Sequence, residues 1–281
     1  MPELSSQNVI GAKVFGDIPE IKPGQILVAP ADNRMYDERI QPIDNFLHFP
    51  DWFKNLDAEK QNLKRCQGTQ DYLTGGMTLR LPCDVRIRLN PVGNGWEARY
   101  DTQEQIPGLA VEGFGYEQTG PIPATDGRKV KSGNWIKIIN PWEIKTAPGW
   151  SSMVLPVLWE QKREWSLMPA VVHTDFYHHM NWVLNIFTDD EEFVIPMGTP
   201  IAHVVTFPRT VKSEVIFADQ DVHGLIYSRG MGEVFSGFNE NRSRRYRIHQ
   251  RKVDARCPVF HGQPEPKLDW FRKVFRLFRQ P

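Results

Sequence analysis

Membrane spans, secretion signals and disulfide patterns are all missing from this sequence of 281 residues. No apolar run approaches the roughly 20 residues that a transmembrane helix needs. The first residues, MPELSSQNVIGAKVFGDIPE, lack the basic flank and the apolar centre of a signal peptide. The cysteines, Cys66, Cys83 and Cys257, form no CxxC pair. We therefore expect a protein of the reduced cytoplasm with no membrane span.

The common catalytic motifs are missing as well. The sequence has no GxSxG, no HExxH and no GxxxxGK[ST], and it has no internal repeat. Each of these motifs places a nucleophile, a zinc ion or a phosphate group on a known local structure. The three separate cysteines likewise give no case for a thiol nucleophile.

The charges balance to zero over the whole chain, but their distribution is uneven. Residues 242–281 hold 12 Lys or Arg against 3 Asp or Glu, whereas the rest of the chain holds 22 against 31. A basic tail on an acidic body predicts an anionic partner, with nucleic acid as one candidate, or contact with the acidic body of another subunit. A solvated charged surface is the alternative.

The region from 134 to 208 has short segments rich in β-branched and aromatic residues and no helical period. The segments are NWIKIIN, WEIKTA, SSMVLPVLW, AVVHT, MNWVLNIF, EEFVIP and IAHVVTF. Pro and Gly turns separate many of them, which is typical of an all-β barrel or sandwich. We predict an irregular extension with a short helix at 1–76, a β-rich core at 77–210, and a Gly-rich loop with a basic tail and an amphipathic helix at 211–281.

The segment PAVVHTDFYHHMNW (169–182) holds the most concentrated candidate chemistry. On a strand, His173 and Asp175 would share one face. With His203 or His223 they would form a facial triad for Fe(II). This pattern resembles the HxD…H motif of 2-oxoglutarate-dependent oxygenases, in which Arg229 would bind the co-substrate carboxylate. A histidine hydrogen-bonded at a strand end is the structural alternative.

A second candidate is the segment RGMGEVFSGF (229–238), interpreted as a Gly-rich loop. Glycines allow backbone N–H groups to approach a phosphate, and Arg229 supplies positive charge. A surface turn is the alternative.

Taken in order, APGWSSMVLP, AVVHTDFYHHMNWVLN, FVIPMGTPIAHVV and RGMGEVFSG resemble successive motifs of the trimeric dUTPase family over about 147–238. The resemblance implies a β-clip barrel, a homotrimer, and hydrolysis of a deoxynucleotide to release pyrophosphate, with Mg²⁺ on the phosphates. His173 and Asp175 would then be catalytic, and the ligand would contact Phe176, Tyr177, Arg229, Gly230, Gly232 and Phe235. Residues 49–210 also resemble an uncharacterised group of phage and bacterial proteins, which implies a phage-encoded protein in the host cytoplasm.

The chain departs from the dUTPase pattern at its centre. His173 occupies the position of the water-activating Asp, Phe176 replaces the Tyr that packs on the deoxyribose, and the Ser-Gly after Pro156 is missing. A neutral His acts as a base near pH 7, but it does not balance a metal–phosphate site as a carboxylate does. Three classes of function stay open: a dUTPase-like nucleotide-binding protein or pyrophosphatase, an Fe(II) oxygenase, and a non-catalytic structural or interaction protein on a β-clip barrel.

Overall fold

A computed structural model describes most of the chain between residues 18 and 235. The described ranges are 18–31, 33–48, 50–57, 63–92, 95–102, 109–113, 135–158, 164–186, 192–209, 215–218 and 220–235. The chain divides into two compact units, the first comprising residues 1–54 and 72–213 and the second residues 55–71 and 214–281.

Antiparallel strands make up most of the regular structure in the first unit, which confirms the mainly β prediction. They are β1 (Ile26–Pro30), β2 (Ile43–Asp44), β3 (Met77–Arg80), β4 (Val85–Val92), β5 (Gly95–Thr102), β6 (Ala110–Gly113), β7 (Trp135–Ile139), β8 (Trp142–Thr146), β9 (Trp150–Pro156), β10 (Trp165–Leu167), β11 (Ala170–Val172), β12 (Trp182–Ile186), β13 (Glu192–Ile195) and β14 (Pro200–Pro208). They pair in the orders β1-β8, β10-β12-β7-β6, β11-β9-β14-β3-β2 and β13-β4-β5.

Alternating side chains explain how these strands build the core. In β12, Trp182, Leu184 and Ile186 are buried, whereas the residues between them are partly exposed. Strand side chains point to opposite faces in turn, so an alternating sequence buries one face of the sheet. The same alternation in β7 and β8 places Ile136, Ile138, Trp142 and Ile144 in one continuous apolar cluster.

The N-terminal stretch, predicted to be an irregular extension, contributes two strands to the sheets. Strand β1 pairs with β8 over its full length, and β2 pairs with β3. Short helical turns lie between and after these strands: a 3-10 turn (Asn33–Tyr36), α1 (Asp51–Lys54), a 3-10 turn (Leu63–Arg65) and α2 (Gln67–Thr74). Met35 and Ile40 belong to the main core. Residues 26–44 therefore contribute both sheet edges and buried apolar surface.

The turn before β3 depends on a glycine. Gly76 has φ +66°, in the left-handed region that favours Gly. A Cβ at this position would lie 1.9 Å from the carbonyl oxygen of Val204 on β14. Only a residue without a side chain lets these two backbone segments approach so closely.

The second unit contains helix α3 (Gln220–Phe235). The prediction of a Gly-rich loop at 229–238 is therefore wrong as far as Phe235. Glycine in a helix costs about 1 kcal/mol relative to Ala, which lowers helix propensity without excluding a helix. Helical spacing of apolar residues is present despite these glycines, at Val222, Leu225 and Ile226.

Two predictions for the C-terminus, the amphipathic helix and the basic tail at 242–281, lie outside the described residues. Within the described ranges, none of the helices combines the length and hydropathy that crossing a membrane requires.

Candidate functional site

Strands β11 and β14 end, and strand β9 begins, at the same end of the five-stranded sheet. Strand β9 lies between β11 and β14, with Val172 paired to Ser152 and Phe207 paired to Ser151. Beyond the last pair, the backbone N–H of Arg209 donates to the carbonyl oxygen of Gly149 at 2.8 Å. The start of β9 is thereby brought beside the residues that follow β11 and β14.

The segment after β11 is a turn, so the prediction that His173 and Asp175 share the face of a strand is wrong. Strand β11 ends at Val172, and the backbone N–H groups of Phe176 and Tyr177 both donate to the carbonyl oxygen of His173, at 3.2 and 2.9 Å. These i→i+3 and i→i+4 bonds reverse the chain as a turn does. The side chains of His173 and Asp175 still come together, because both contact the guanidinium group of Arg209, the residue that follows β14.

Buried hydroxyl groups hold the turn on the sheet. The Oγ1 atom of Thr174 lies 2.8 Å from Ser152 Oγ and 2.9 Å from Thr146 Oγ1, and all three residues are buried. The backbone N–H of Thr146 also donates to the carbonyl oxygen of Thr174. Buried polar groups that are all hydrogen-bonded fix one conformation, because each unmade bond would cost free energy.

The Asp175 cluster consists of the side chains of Ser151, His173, Asp175 and Arg209 with the backbone N–H of Gly149. Arg209 Nη1 donates to Asp175 Oδ1 at 2.7 Å and Nη2 to Oδ2 at 2.5 Å, while the Gly149 N–H donates to Oδ2 at 2.9 Å. The hydrogen bonds from Arg209 lower the pKa of Asp175 from 3.8 to about 2. Asp175 therefore stays ionised at neutral pH and neutralises Arg209.

His173 acts in this cluster as an acceptor at Nδ1. Arg209 Nη1, which can only donate, lies 3.2 Å from Nδ1, and Ser151 Oγ lies 2.8 Å from it. Ser151 Oγ accepts from Arg209 at 2.9 Å and keeps its own proton available for the imidazole. A neutral His173 then carries its proton on Nε2. A proton on Nδ1 would face the guanidinium, so this geometry makes His173 a donor through Nε2 rather than a base through Nδ1.

Two aromatic rings follow in the same turn. Phe176 is 70% exposed and Tyr177 is 50% exposed. The Phe176 ring lies stacked beside His173, with centroids 5.8 Å apart and planes inclined by 29°. We call Phe176 and Tyr177 the aromatic pair. Large apolar surface left in solvent next to a polar cluster is typical of a recognition site.

The Fe(II) triad does not form with His203. This residue is fully buried in β14, where Nε2 donates to the carbonyl oxygen of Gly75 at 2.9 Å. The His203 cluster comprises His203, Tyr72, Asn45, Thr78 and this carbonyl, with the Tyr72 ring 4.4 Å away. Burial lowers the pKa of His203. Across the described residues, no three His, Cys, Asp or Glu side chains are arranged to hold a metal ion.

The remaining predicted site residues belong to the second unit. His223 and Tyr227 stack on α3 with ring centroids 6.1 Å apart. Arg229, Gly230, Gly232 and Phe235 lie on the same helix, and their side chains lie outside the described residues. Their roles as ligand-binding or metal-binding residues stay predictions.

The Asp175 cluster does not fit a resident Mg²⁺ ion. Both carboxylate oxygens of Asp175 accept hydrogen bonds from Arg209, and a second cation would have to displace or face that guanidinium. Magnesium takes oxygen ligands, chiefly carboxylates, waters and substrate phosphates. The predicted Mg²⁺ would therefore have to arrive on the phosphates of a ligand.

Sequence reasoning missed Ser151 and Arg209. Both lie far in sequence from His173. Ser151 lies in the segment APGWSSMVLP, whose resemblance did not single it out, and Arg209 belongs to no recognisable motif. One signal was available: Arg209 directly follows a strong strand segment, and a cation at a strand end is placed to reach neighbouring strand ends. Its use requires knowledge that β9 pairs with β14, which sequence periodicity alone does not provide.

Comparison with known proteins gives matches among solved structures alone. No family model matches the chain, and no curated protein matches it. The chain is similar to the native EIAV dUTPase, with TM-score 0.29, 9% identity, and coverage of 52% of this chain and 85% of that chain. It is also similar to 2′-deoxycytidine 5′-triphosphate deaminase from Agrobacterium tumefaciens, with TM-score 0.32, 10% identity, and coverage of 66% and 49%.

The chain thus spans about half the length of the deaminase. The dUTPase bears the name of the family that the sequence resembles. At these TM-scores the similarity identifies neither a reaction nor a substrate for this chain.

Proposed function

We propose that this protein binds a nucleotide at the Asp175 cluster and the aromatic pair. The observation that carries the proposal is the exposure of Phe176 and Tyr177 on the same turn as His173, Asp175 and Arg209. Exposed aromatic rings bind the faces of nucleobases, each worth about 1–3 kcal/mol. The donors beside them suit the sugar and phosphate groups of the same ligand.

The geometry favours binding over hydrolysis through His173. Its Nδ1 atom accepts from Arg209 and Ser151, so the ring meets a ligand with the N–H at Nε2. Such a group donates a hydrogen bond to a phosphate or carbonyl oxygen, whereas a general base must accept a proton from water. A more specific proposal is that the protein is a divergent nucleotide pyrophosphatase, and an assay of pyrophosphate release tests it.

Calorimetric titration with dUTP and the four common deoxynucleoside triphosphates, with and without Mg²⁺, tests the binding. We expect Phe176→Ala to weaken binding about tenfold, because a stacked base loses its partner. Phe46→Ala is the matched control, since Phe46 is 45% exposed elsewhere in the same unit. Absence of binding and of pyrophosphate release for every nucleotide would remove the proposal.

The predicted homotrimer belongs to the same proposal. Light scattering during size-exclusion chromatography measures it directly, because the chain mass is 32.5 kDa. A mass near three times that value supports the trimer, and a monomer contradicts it.

A further inference from the structure

Lys145 is a second cation at the same turn. It lies on β8, and its Nζ atom donates to the backbone carbonyl oxygen of Asp175 at 3.2 Å. Asp175 therefore meets two cations, Arg209 through its carboxylate and Lys145 through its backbone. The contact with the backbone of Asp175 places Lys145 directly beside the residue that precedes the aromatic pair.

The other partner of Lys145 is the imidazole ring of His178. Lys145 Nζ lies 3.5 Å from His178 Nε2, and His178 Nδ1 lies 3.0 Å from the carbonyl oxygen of Thr174. Because a carbonyl only accepts, Nδ1 carries the proton and Nε2 accepts from the ammonium.

The two cations of the site differ in how their charges are compensated. The bidentate carboxylate of Asp175 neutralises Arg209, whereas a carbonyl and an imidazole offer Lys145 no negative charge. Within the described part of the chain, Lys145 forms no ion pair with a carboxylate. Lys145 is also partly buried, so water compensates its charge less than on an open surface.

We infer that Lys145 binds a phosphate group of the ligand, while the aromatic pair binds its base. The inference rests on the proposed function and adds the residue that recognises the anion. An ammonium group has three N–H donors, and the two contacts described above leave one for a phosphate oxygen. Lysine serves as a point charge for phosphates in many proteins.

One carboxylate opposes this role. Glu143 lies two residues before Lys145 on the same face of β8, about 7 Å along the strand. Its Oε1 atom lies 2.8 Å from His179 Nδ1, which gives it a partner other than Lys145. Removal of the Glu143 charge should therefore strengthen phosphate binding two- to threefold, the size of an interaction between charges at that distance in water.

The decisive measurement is the ratio of two dissociation constants, that of a deoxynucleoside without phosphate and that of its triphosphate. For the nucleotide that binds the protein most tightly, we expect Lys145→Met to reduce this ratio about tenfold, because the extra phosphates lose a charge-assisted hydrogen bond. Phe176→Ala should weaken both ligands and keep the ratio. Glu143→Gln should raise it two- to threefold.

Lys54→Met is the control, because Lys54 is an exposed lysine beside Asp51. An unchanged ratio in Lys145→Met overturns the inference and leaves the proposed function standing. An equal loss for both ligands, or a thermal stability well below that of the wild type, assigns Lys145 a structural role and also overturns it. A wild-type protein that binds no nucleotide overturns both proposals.

Discussion

His173 and His203 are two histidines of one unit with opposite surroundings. His173 is exposed at the end of β11 and accepts hydrogen bonds at Nδ1 from a hydroxyl and a guanidinium. His203 is buried in β14 and donates from Nε2 to a backbone carbonyl, while its Nδ1 has no hydrogen-bond partner among the described residues. Both environments favour the tautomer with the proton on Nε2, which lies beside solvent in His173 and within the core in His203.

The two histidines belong to clusters with different roles, one in ligand recognition and the other in the stability of the fold. The Asp175 cluster lies beside the exposed aromatic pair, and its ion pair keeps some contact with solvent through Arg209, whose side chain is 28% exposed. The His203 cluster places polar groups where no ligand reaches them. Thr78 of β3 donates to Asn45, which follows β2, and both Asn45 and His203 of β14 donate to the Gly75 carbonyl. Substitutions should therefore cost more stability around His203 and change more binding around Asp175.

The largest expected effect comes from a pair of glycine substitutions, one beside each cluster. Gly76→Ala should cost about 4 kcal/mol or more, because its Cβ overlaps the Val204 carbonyl and φ is +66°. Gly149→Ala should cost about 1 kcal/mol, because φ is +80° but the described residues leave open space for a Cβ. Urea denaturation of both variants measures the difference. Equal losses would contradict the proposed contrast between the two regions.

The next effect concerns the buried histidine itself. His203→Ala should lower the free energy of unfolding by about 2–4 kcal/mol, because it leaves a cavity and removes one of the two side-chain donors to the Gly75 carbonyl. His48→Ala is the matched control on an exposed histidine and should change stability by less than about 0.5 kcal/mol. A loss below 1 kcal/mol at His203 would contradict its role in the core.

A smaller effect is expected at the ion pair. Asp175→Asn should cost about 1 kcal/mol, because it removes a bidentate charged partner from Arg209 while solvent screens part of the interaction. Asp51→Asn, which alters the exposed pair with Lys54, should cause no measurable loss. Chemical denaturation near pH 7 compares the two, and the same variant should weaken nucleotide binding by reorienting Arg209.

The smallest effect is a dependence on pH that distinguishes the two regions. Burial lowers the pKa of His203, so the unfolded chain binds its proton first and stability falls as pH drops below about 6.5. Arg209 lowers the pKa of Asp175 to about 2, so that contribution is present above about pH 4 and is lost as pH falls from 4 toward 2.

Unfolding free energies measured from pH 7 to pH 2 check both assignments. His203→Ala should flatten the decline that begins near pH 6.5, and Asp175→Asn should flatten the decline below about pH 4. A slope that persists unchanged in the corresponding variant would remove that residue as its source.

The sequence predicted the strands because their signal is local. NWIKIIN and IAHVVTF correspond to β7 and β14, in which β-branched residues and alternation determine both the structure and the buried face. Helix α3 was missed for a related reason. A helix that contains several glycines carries a weak local signal, because each glycine lowers the helix propensity.

The site was predictable in part. His173, Asp175, Phe176 and Tyr177 lie within five residues, so one segment of sequence identified them together. Arg209 could not be identified, because its contact with Asp175 depends on the pairing of β9 with β14 across about fifty residues. The error at His203 has a similar origin, since a histidine in an apolar strand reads as a ligand until its burial is known.

Different side chains of the turn anchor it to the sheet and contact the solvent, and this separation is useful for protein engineering. Thr174 and Asp175 anchor the turn, whereas the aromatic pair is largely exposed to solvent. A library randomised at positions 176 and 177 alone should therefore yield mostly folded members whose ligand preferences differ. The turn would then serve as a scaffold on which new specificities are selected without prior redesign of the sheet.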